Sequence, residues 1–400
     1  MSPTCSPELE QEAMTIAQLI YQQAVISEDG STNWLSMNYD HATKQVQLNQ
    51  LGFDFYNGRT GIALFLAAVD KISGQEVYRD FILNQVLQPL QSLLSMSPLA
   101  LNSVTRIGGM FGLGYALTKI SQMMNEKDLL DNALHAGLLI TPQRIEEDRY
   151  LDLLLGSGGA LLNLLAIYQA TGDERMLDRA ILCGEHLLNH RVISDTGHHA
   201  WPTIIEGQLL TGFSHGAAGI AYALLRLYDA TMDSRFLMAG ADGIAFEHKV
   251  LSLENNTNEN LTKSYMVGWC RGAPGIGLGR LAALHILDTA TIREDIERAL
   301  DVTLAANVNY TEDHLCCGNL GRAEILLEIA NWLDDAGLIA TVYKYIAQVL
   351  ERKNARGEFT VSPFFNSIYQ PGFFKGLAGI GYSLLRMAHP QSLPLILAWK

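Results

Sequence analysis

Cysteine is scarce in this sequence: there are five in 400 residues, and two of them stand side by side. A small, odd number of cysteines in a long chain disfavours a disulfide framework and favours reduced thiols. No apolar run reaches the roughly 18 residues that a membrane-spanning helix needs. The first residues, MSPTCSPELEQEAM, lack the basic start and apolar segment of a secretory signal peptide. These absences predict a soluble cytoplasmic protein.

Basic residues are also too few for a nucleic-acid-binding surface. The chain has 28 lysines and arginines against 42 aspartates and glutamates, which gives a formal net charge of −14. Such a chain is unsuited to binding nucleic acid or an anionic membrane surface. By contrast, 48% of the residues are hydrophobic and only 18% are charged, which is sufficient for an extensive core and excludes disorder as the main state.

Glycine is abundant and is arranged in a repeat. Seven segments share a glycine, two further residues, a second glycine and an apolar run, and their leading glycines are Gly58, Gly109, Gly156, Gly216, Gly272, Gly318 and Gly376. Successive leading glycines are 46 to 60 residues apart, and a period of this size marks a repeat architecture. We expect one domain of residues 1–400, with a tail and a first outer helix in residues 1–30 and seven repeats from about residue 52 to residue 390.

Each repeat has room for two helices of different character. The segment after the glycines is apolar on nearly all sides, as in Ile220–Tyr228, which is typical of a buried helix. The segment before the next glycines is amphipathic, as in Arg175–His190 and Arg293–Ala305. This alternation predicts an all-α fold, an α/α toroid of seven inner and seven outer helices, because the alternative open solenoid would expose apolar inner helices at both ends. Strand signals are confined to Val46–Leu51 and Phe359–Val361.

Three of the five cysteines occupy equivalent positions in adjacent repeats. Cys270 stands two residues before the leading glycine of the fifth repeat, and Cys316 stands two before that of the sixth, with Cys317 next to it. If the glycine turns lie at one pole of a ring, these thiols converge there. Three thiols without a fourth protein ligand are typical of a catalytic zinc site with one open position. The alternative is that they are inert, buried hydrophobes.

His215 and Asp152 are expected at the same pole. His215 directly precedes the leading glycine of the fourth repeat, and Asp152 stands four residues before Gly156 in the third. Because histidine titrates near neutrality, His215 is a candidate general acid, with a structural hydrogen bond as the alternative. Asp152 would orient His215, act as a base or cap the inner helix. Cys5, in the tail, and Cys183, on an outer helix, are assigned no role.

Three motifs resemble the lanthipeptide cyclases, the LanC-like proteins. They are GFSHGAAGIAYAL (Gly212–Leu224), GWCRGAPGIGLGR (Gly268–Arg280) and LCCGNLGR (Leu315–Arg322). The resemblance extends over nearly the whole chain. The segments LGFDFYNGRTGIALFL and NWLSMNYD are most similar to the C-terminal cyclase region of class II (LanM-type) synthetases, which carry a dehydratase domain ahead of it. Three residues differ from members of that family: Cys317 stands where many of them have histidine, Arg271 follows the first cysteine where tyrosine or histidine is common, and Met266 replaces an arginine of some members.

This resemblance implies an α/α toroid that binds one Zn²⁺ per chain through Cys270, Cys316 and Cys317. The implied activity is the addition of peptide cysteine thiols to dehydroalanine or dehydrobutyrine, which forms thioether rings in a ribosomally made precursor peptide. His215 and Asp152 match the family's histidine and aspartate, and a dehydratase domain or protein would be a further partner. The alternatives are a protein that holds zinc and binds a peptide or glutathione without turnover, and a zinc-dependent prenyltransferase, which the Cys-Cys-Gly run disfavours.

Overall fold

Helices make up most of the chain. The structure is a computed structural model that describes residues 6–40, 45–96, 112–204, 208–255, 267–306, 312–362 and 369–400. In chain order the helices are α1 (Ser6–Gln22), α2 (Arg59–Ser73), α3 (Arg79–Phe81), a π-helical turn (Ile82–Leu87), α4 (Gln88–Met96), α5 (Leu113–Met124), α6 (Asp128–Leu138), α7 (Pro142–Glu147), α8 (Ser157–Thr171), α9 (Glu174–Asn189), α10 (Ala217–Thr231), α11 (Ser234–Asn255), α12 (Ala273–Ala283), α13 (Ala290–Ala306), α14 (Asn319–Trp332), α15 (Ala336–Arg356), α16 (Leu377–Ala388) and a 3-10 turn (Ile396–Ala398). In these ranges, no helix combines the length and apolarity that crossing a bilayer requires.

Short antiparallel strand pairs form the other regular structure in the described ranges. They are β1 (Val25–Ile26) with β2 (Thr32–Asn33), β3 (Leu35–Asp40) with β4 (Gln45–Gln50), and β5 (Val192–Ile193) with β6 (His199–Ala200). The strand predicted near Val46–Leu51 is therefore present as β4. The segment Phe359–Val361 is not a strand, because Thr360 exchanges hydrogen bonds with the backbone and side chain of Asp313 instead of with a neighbouring strand.

The helices that follow the glycine turns form a closed inner ring. Each of α2, α5, α8, α10, α12, α14 and α16 packs against the next, and α16 packs against α2. The outer layer in the described ranges consists of α1, α4, α6, α9, α11, α13 and α15, most of which contact the inner helix that precedes or follows them. An open solenoid would leave α2 and α16 apart, so their contact supports the predicted toroid.

Burial follows the apolar pattern of the two layers. In α10, every residue from Ala217 to Leu225 is buried, because the helix is apolar on all sides and is covered on all sides. In α9, the buried residues recur at helical spacing on one face and include Met176, Ala180, Cys183 and Leu187. The sequence distinction between all-apolar and amphipathic segments thus corresponds to the inner and outer layers.

The glycine turns lie at the N-terminal ends of the inner helices, and therefore at one pole of the ring. In six of the seven inner helices the N-cap is the predicted leading glycine: Gly58, Gly156, Gly216, Gly272, Gly318 and Gly376. In the second repeat the N-cap is Gly112, while Gly109 lies outside the described residues. Gly272 has a φ of 133°, a conformation that strongly favours glycine.

The second glycine of the motif is required by a close approach of the backbone. A Cβ built on Gly61, Gly159, Gly219, Gly275, Gly321 or Gly379 would lie less than 3.0 Å from the carbonyl oxygen of the residue six positions earlier. Those earlier residues are Phe55, Leu153, Phe213, Trp269, Leu315 and Phe373, and each is at most 1% exposed. The turn thus folds back onto the start of its own helix and directs a large apolar side chain into the core.

Backbone hydrogen bonds join neighbouring turns from the third repeat, through the seventh, to the first. The donor and acceptor pairs are Leu153 N to Ser214 O (3.0 Å), Ser214 N to Cys270 O (2.8 Å), Trp269 N to Cys316 O (2.8 Å), Cys316 N to Phe374 O (2.9 Å) and Phe374 N to Tyr56 O (2.7 Å). Every accepting carbonyl belongs to the residue two positions before a leading glycine. The accepting position is thus constant, while the donor stands two or three residues before its own leading glycine. We call this set of bonds the turn ring, and it fixes where the flanking side chains meet.

The C-terminal segment fills the centre of the toroid. Residues from Leu395 to Trp399 are at most 5% exposed. Side chains from the inner layer donate hydrogen bonds to its carbonyl oxygens: Tyr115 to Lys400 (2.9 Å), Tyr222 to Ala398 (2.7 Å), Trp269 to Leu397 (3.0 Å) and Tyr382 to Pro394 (2.8 Å). The lumen is therefore a packed core, and the C-terminal segment closes it on the inner side of the glycine turns.

The close approach at the second glycine predicts the effect of adding one methyl group. Gly379→Ala should lower the free energy of unfolding by about 1–3 kcal/mol, because the new Cβ collides with the Phe373 carbonyl. The control is Gly337→Ala in the first turn of α15, where the Cβ would approach Asp335 Oδ1 at 3.2 Å, the N-cap oxygen that accepts the amide of Leu338, and no backbone atom. This control should change the free energy of unfolding by less than about 1 kcal/mol, because the helix propensity gained with alanine offsets a small shift of the cap. Chemical denaturation followed by circular dichroism measures both, and equal midpoints for the two variants would contradict the steric explanation.

Candidate metal centre and proton-transfer pair

Three cysteine sulfurs lie together at the pole with the glycine turns. The Sγ atoms of Cys270 and Cys317 are 3.2 Å apart, those of Cys317 and Cys316 are 3.5 Å apart, and all three lie within 4.8 Å of one another. The turn ring brings them together, because Trp269 and Cys270 both donate their amides to the carbonyl of Cys316. Cys316 is buried, whereas Cys270 and Cys317 are partly exposed. The cluster is therefore accessible from solvent on the side of Cys270 and Cys317.

The proximity of the thiols separates their pKa values. Hydrogen bonds from Cys316 and Cys317 lower the pKa of Cys270 to about 4, and the positive charge of Lys375 acts in the same direction. The hydrogen bonds with Cys270 raise the pKa values of Cys316 and Cys317. One of the three thiols thus loses its proton readily, whereas the second and third thiolates must form beside an existing negative charge.

The cluster fits a metal ion that binds thiolates tetrahedrally. Sulfurs about 2.3 Å from a zinc ion at tetrahedral angles would be about 3.8 Å apart. The observed separations of 3.2 Å and 3.5 Å are close to that value. A divalent cation would also offset the repulsion among three thiolates. The donor set therefore suits zinc, with three protein ligands and one position left for another group.

His215 and Asp152 form a hydrogen-bonded pair in the neighbouring repeats. His215 Nδ1 lies 2.7 Å from Asp152 Oδ2, and the side chain of Asp152 is fully buried while that of His215 is 18% exposed. Because the carboxylate accepts a hydrogen bond, we assign a proton to Nδ1, which makes Nε2 the nitrogen available to a substrate. Burial raises the pKa of Asp152, and the hydrogen bond from His215 opposes this rise.

Asp152 does not cap its inner helix. The N-cap is Gly156, and the carboxylate that accepts the hydrogen bond of the first helical amide belongs to Asp148, whose Oδ2 is 2.8 Å from the nitrogen of Ser157. The capping alternative therefore applies to Asp148 and not to Asp152.

One oxygen of Asp152 has a role that recurs in another repeat. Its Oδ1 accepts the amide of Leu155 at 2.6 Å, and Asp54, four residues before the first leading glycine, accepts the amide of Asn57 in the same way at 2.8 Å. This bond stabilises the turn. The bond from Oδ2 to His215 is additional, and it is what distinguishes Asp152 from Asp54.

Similarity to known proteins identifies the family. The lanthionine synthetase C-like protein family matches residues 49–398, which is most of the chain. The chain belongs to this family. The resemblance indicated by the glycine and cysteine motifs is thereby confirmed.

A curated relative and a solved structure agree with this family. The chain is 21% identical over 397 residues to the lacticin 481/lactococcin biosynthesis protein LcnDR2 of Lactococcus lactis subsp. lactis, and the match covers 91% of the chain but 39% of that protein. The chain thus spans about two-fifths of the length of this relative. Nisin cyclase superimposes with a TM-score of 0.64 at 17% identity, covering 98% of the chain and 97% of the cyclase. This likeness concerns the fold, and it confirms the predicted α/α toroid.

Tyr56 is a neighbour of the cysteine cluster that the sequence reasoning missed. Its hydroxyl lies 2.9 Å from Cys316 Sγ. Tyr56 stands two residues before Gly58, the same repeat position as Cys270 and Cys316. A comparison of that position across every repeat, without regard to residue type, would have found it.

Two further buried side chains support the turn that carries Cys317. His314 Nδ1 accepts the amide of Cys317 at 3.4 Å, and Arg322 donates to the carbonyls of Cys317 (3.4 Å) and Val267 (3.3 Å). Both side chains are nearly inaccessible to solvent. They hold the backbone of the sixth repeat against that of the fifth, which stabilises the separation between the cysteines.

The remaining residues named from the sequence lie in different environments. Arg271 is exposed beside Cys270. Cys183 is buried in α9, where burial raises its pKa, in keeping with the absence of an assigned role. Met266 and Cys5 lie outside the described residues.

Proposed function

We propose that this protein is a zinc-dependent cyclase that adds peptide cysteine thiols to dehydroalanine or dehydrobutyrine and so forms thioether rings in a ribosomally made precursor peptide. The observation that carries the proposal is the position of three thiols within 4.8 Å of one another, in turns adjacent to the His215–Asp152 pair. Membership of the lanthionine synthetase C-like family supports it. The substrate peptide would first need a dehydratase domain or protein, and a reducing compartment such as the cytoplasm would keep the cluster thiols free.

Cys270, Cys316 and Cys317 would hold one zinc ion per chain. A free cysteine has a pKa of about 8.5, so only a few per cent of it is thiolate at pH 7. Bound zinc lowers the pKa of a coordinated thiol and thus supplies the nucleophilic thiolate at neutral pH. The partly exposed side of the cluster, at Cys270 and Cys317, is where a peptide cysteine would arrive.

His215 would transfer the proton during ring formation. With a proton on Nδ1, its Nε2 can accept the proton of the substrate thiol, and Asp152 stabilises the resulting imidazolium. Attack of sulfur on the β-carbon forms the carbon–sulfur bond and shifts the carbon–carbon π electrons toward the carbonyl as an enolate. The Nε2 proton then passes to the α-carbon. The reaction is an addition, so no atom leaves.

Asp152 would position His215 without touching the peptide. Its side chain is fully buried, one oxygen accepts the amide of Leu155 and the other accepts His215 Nδ1. A base acting on the incoming thiol would need an oxygen that faces the substrate. Of the roles considered for Asp152, orienting the imidazole is the one that this geometry favours.

The peptide would bind across the pole and not through the ring. The C-terminal residues from Leu395 to Trp399 fill the lumen beneath the turns. A precursor must also present several cysteines in succession to one site, which an open surface allows more readily than a tunnel. The loops between the inner helices would therefore form the binding groove.

The activity is tested with a synthetic peptide that contains one dehydroalanine and one cysteine. Because cyclisation leaves the mass unchanged, the readout is loss of the free thiol, measured by alkylation and mass spectrometry, alongside zinc content. Wild type and the control Cys183→Ala should bind one zinc and consume the thiol. Cys316→Ala/Cys317→Ala should lose both properties, because it retains only one of the three ligands. A fully metallated wild type that leaves the thiol unreacted would support the non-catalytic alternative instead.

Replacing His215 should slow the cyclisation reaction without removing the metal. His215→Asn should keep its zinc and slow single-turnover cyclisation by about 100-fold or more, because general acid–base groups contribute about 10²–10⁴-fold. The matched control is His285→Asn, since His285 also faces a carboxylate, that of Asp229 at 3.8 Å, but follows the C-terminal end of α12 at the opposite pole. Wild-type rates in His215→Asn would exclude the proposed proton transfer.

A further inference from the structure

The hydroxyl of Tyr56 contacts the most buried of the three cysteines. Its Oη lies 2.9 Å from Cys316 Sγ, within hydrogen-bonding distance for a sulfur acceptor. Tyr56 comes from the first repeat, whereas Cys316 belongs to the sixth. The contact thus spans the point where the ring closes, across the turn of the seventh repeat.

Phe374 fixes the geometry of this contact in two ways. The rings of Tyr56 and Phe374 are stacked, with centroids 4.9 Å apart and an interplanar angle of 9°. In the turn ring, Phe374 also donates its amide to the carbonyl of Tyr56 and accepts the amide of Cys316. Ring stacking and both backbone bonds therefore determine where the hydroxyl lies relative to the sulfur.

The hydroxyl is the hydrogen-bond donor in this pair. A tyrosine phenol has an ordinary pKa of about 10 and carries one proton that it can donate. The phenol is thus protonated at neutral pH. A metal-bound thiolate has no proton, so it can only accept.

This donor would persist when the cysteines bind a metal. The hydrogen bonds that link Cys270, Cys316 and Cys317 to one another use thiol protons. Those protons are lost when the sulfurs become ligands. The proton between Tyr56 and Cys316 belongs to the phenol and stays in place.

We propose that Tyr56 is a positioning residue that donates a hydrogen bond to Cys316 as a zinc-bound thiolate, which fixes the orientation of that ligand and weakens its electron donation to the metal. The proposal rests on the zinc centre of the proposed function. Outer groups of this kind orient metal ligands and adjust their donor strength. The hydrogen bond would hold the Cys316 sulfur in its position while the substrate exchanges on the exposed side of the cluster.

The test replaces zinc with Co²⁺, whose thiolate-to-metal charge-transfer absorption reports the donor strength of sulfur. Tyr56→Phe removes the hydroxyl and keeps the ring that stacks on Phe374. The matched control is Tyr382→Phe, which removes another buried hydroxyl, one bonded to the carbonyl of Pro394 at 2.8 Å. Zinc affinity is measured in parallel by competition with a chromophoric chelator, and circular dichroism of the metal-free proteins verifies that each variant is folded.

In Tyr56→Phe we expect the charge-transfer band to move to longer wavelength, because a thiolate without its hydrogen bond gives up an electron more easily. Zinc affinity should nevertheless fall by about tenfold or more, because Cys316 loses the partner that orients it, as for other outer partners of metal ligands. Tyr382→Phe should leave both unchanged. A wild-type band position and affinity in Tyr56→Phe, or the same shift in Tyr382→Phe, would overturn the role of Tyr56 alone. A wild type that binds neither Co²⁺ nor zinc would overturn the metal centre as well.

Discussion

The turn ring is the constraint on which the candidate site depends. In the first, fourth, fifth, sixth and seventh repeats, the carbonyl two residues before the leading glycine accepts an amide from the turn of a neighbouring repeat. The second glycine makes this possible, because a side chain there would strike the carbonyl six residues earlier. Side chains at one repeat position are thereby arranged around a common pole, and their chemical identity decides what the pole can do.

The repeat period and its residue types were sufficient to predict the toroid, since an all-apolar helix must be buried and seven such helices can cover one another only by closing. The same logic places Cys270 and Cys316 in adjacent turns, because equivalent positions of neighbouring repeats are neighbours in space. His215 and Asp152 required more than periodicity. Their positions relative to the glycines differ, and only the folded structure shows that His215 Nδ1 lies 2.7 Å from Asp152 Oδ2.

Other features depend on contacts between distant parts of the chain, which no pattern within a single repeat reveals. Tyr56 and Cys316 are 260 residues apart in sequence, and their contact exists because the first and seventh repeats meet. The C-terminal segment carries no motif, yet its carbonyls take hydrogen bonds from tyrosines of three inner helices. The assignment of helix capping to Asp148 instead of Asp152 likewise depends on which carboxylate the turn directs toward Ser157.

The central claim is that this pole assembles a three-thiolate metal centre from two adjacent turns. The most direct measurement is X-ray absorption at the zinc edge of the zinc-loaded protein. Three sulfur neighbours from Cys270, Cys316 and Cys317 are expected at about 2.3 Å, the ordinary zinc–thiolate distance. In the single variant Cys270→Ser the sulfur count should fall to two. A zinc ion surrounded only by nitrogen and oxygen, or a sulfur count that does not change in Cys270→Ser, would contradict the claim.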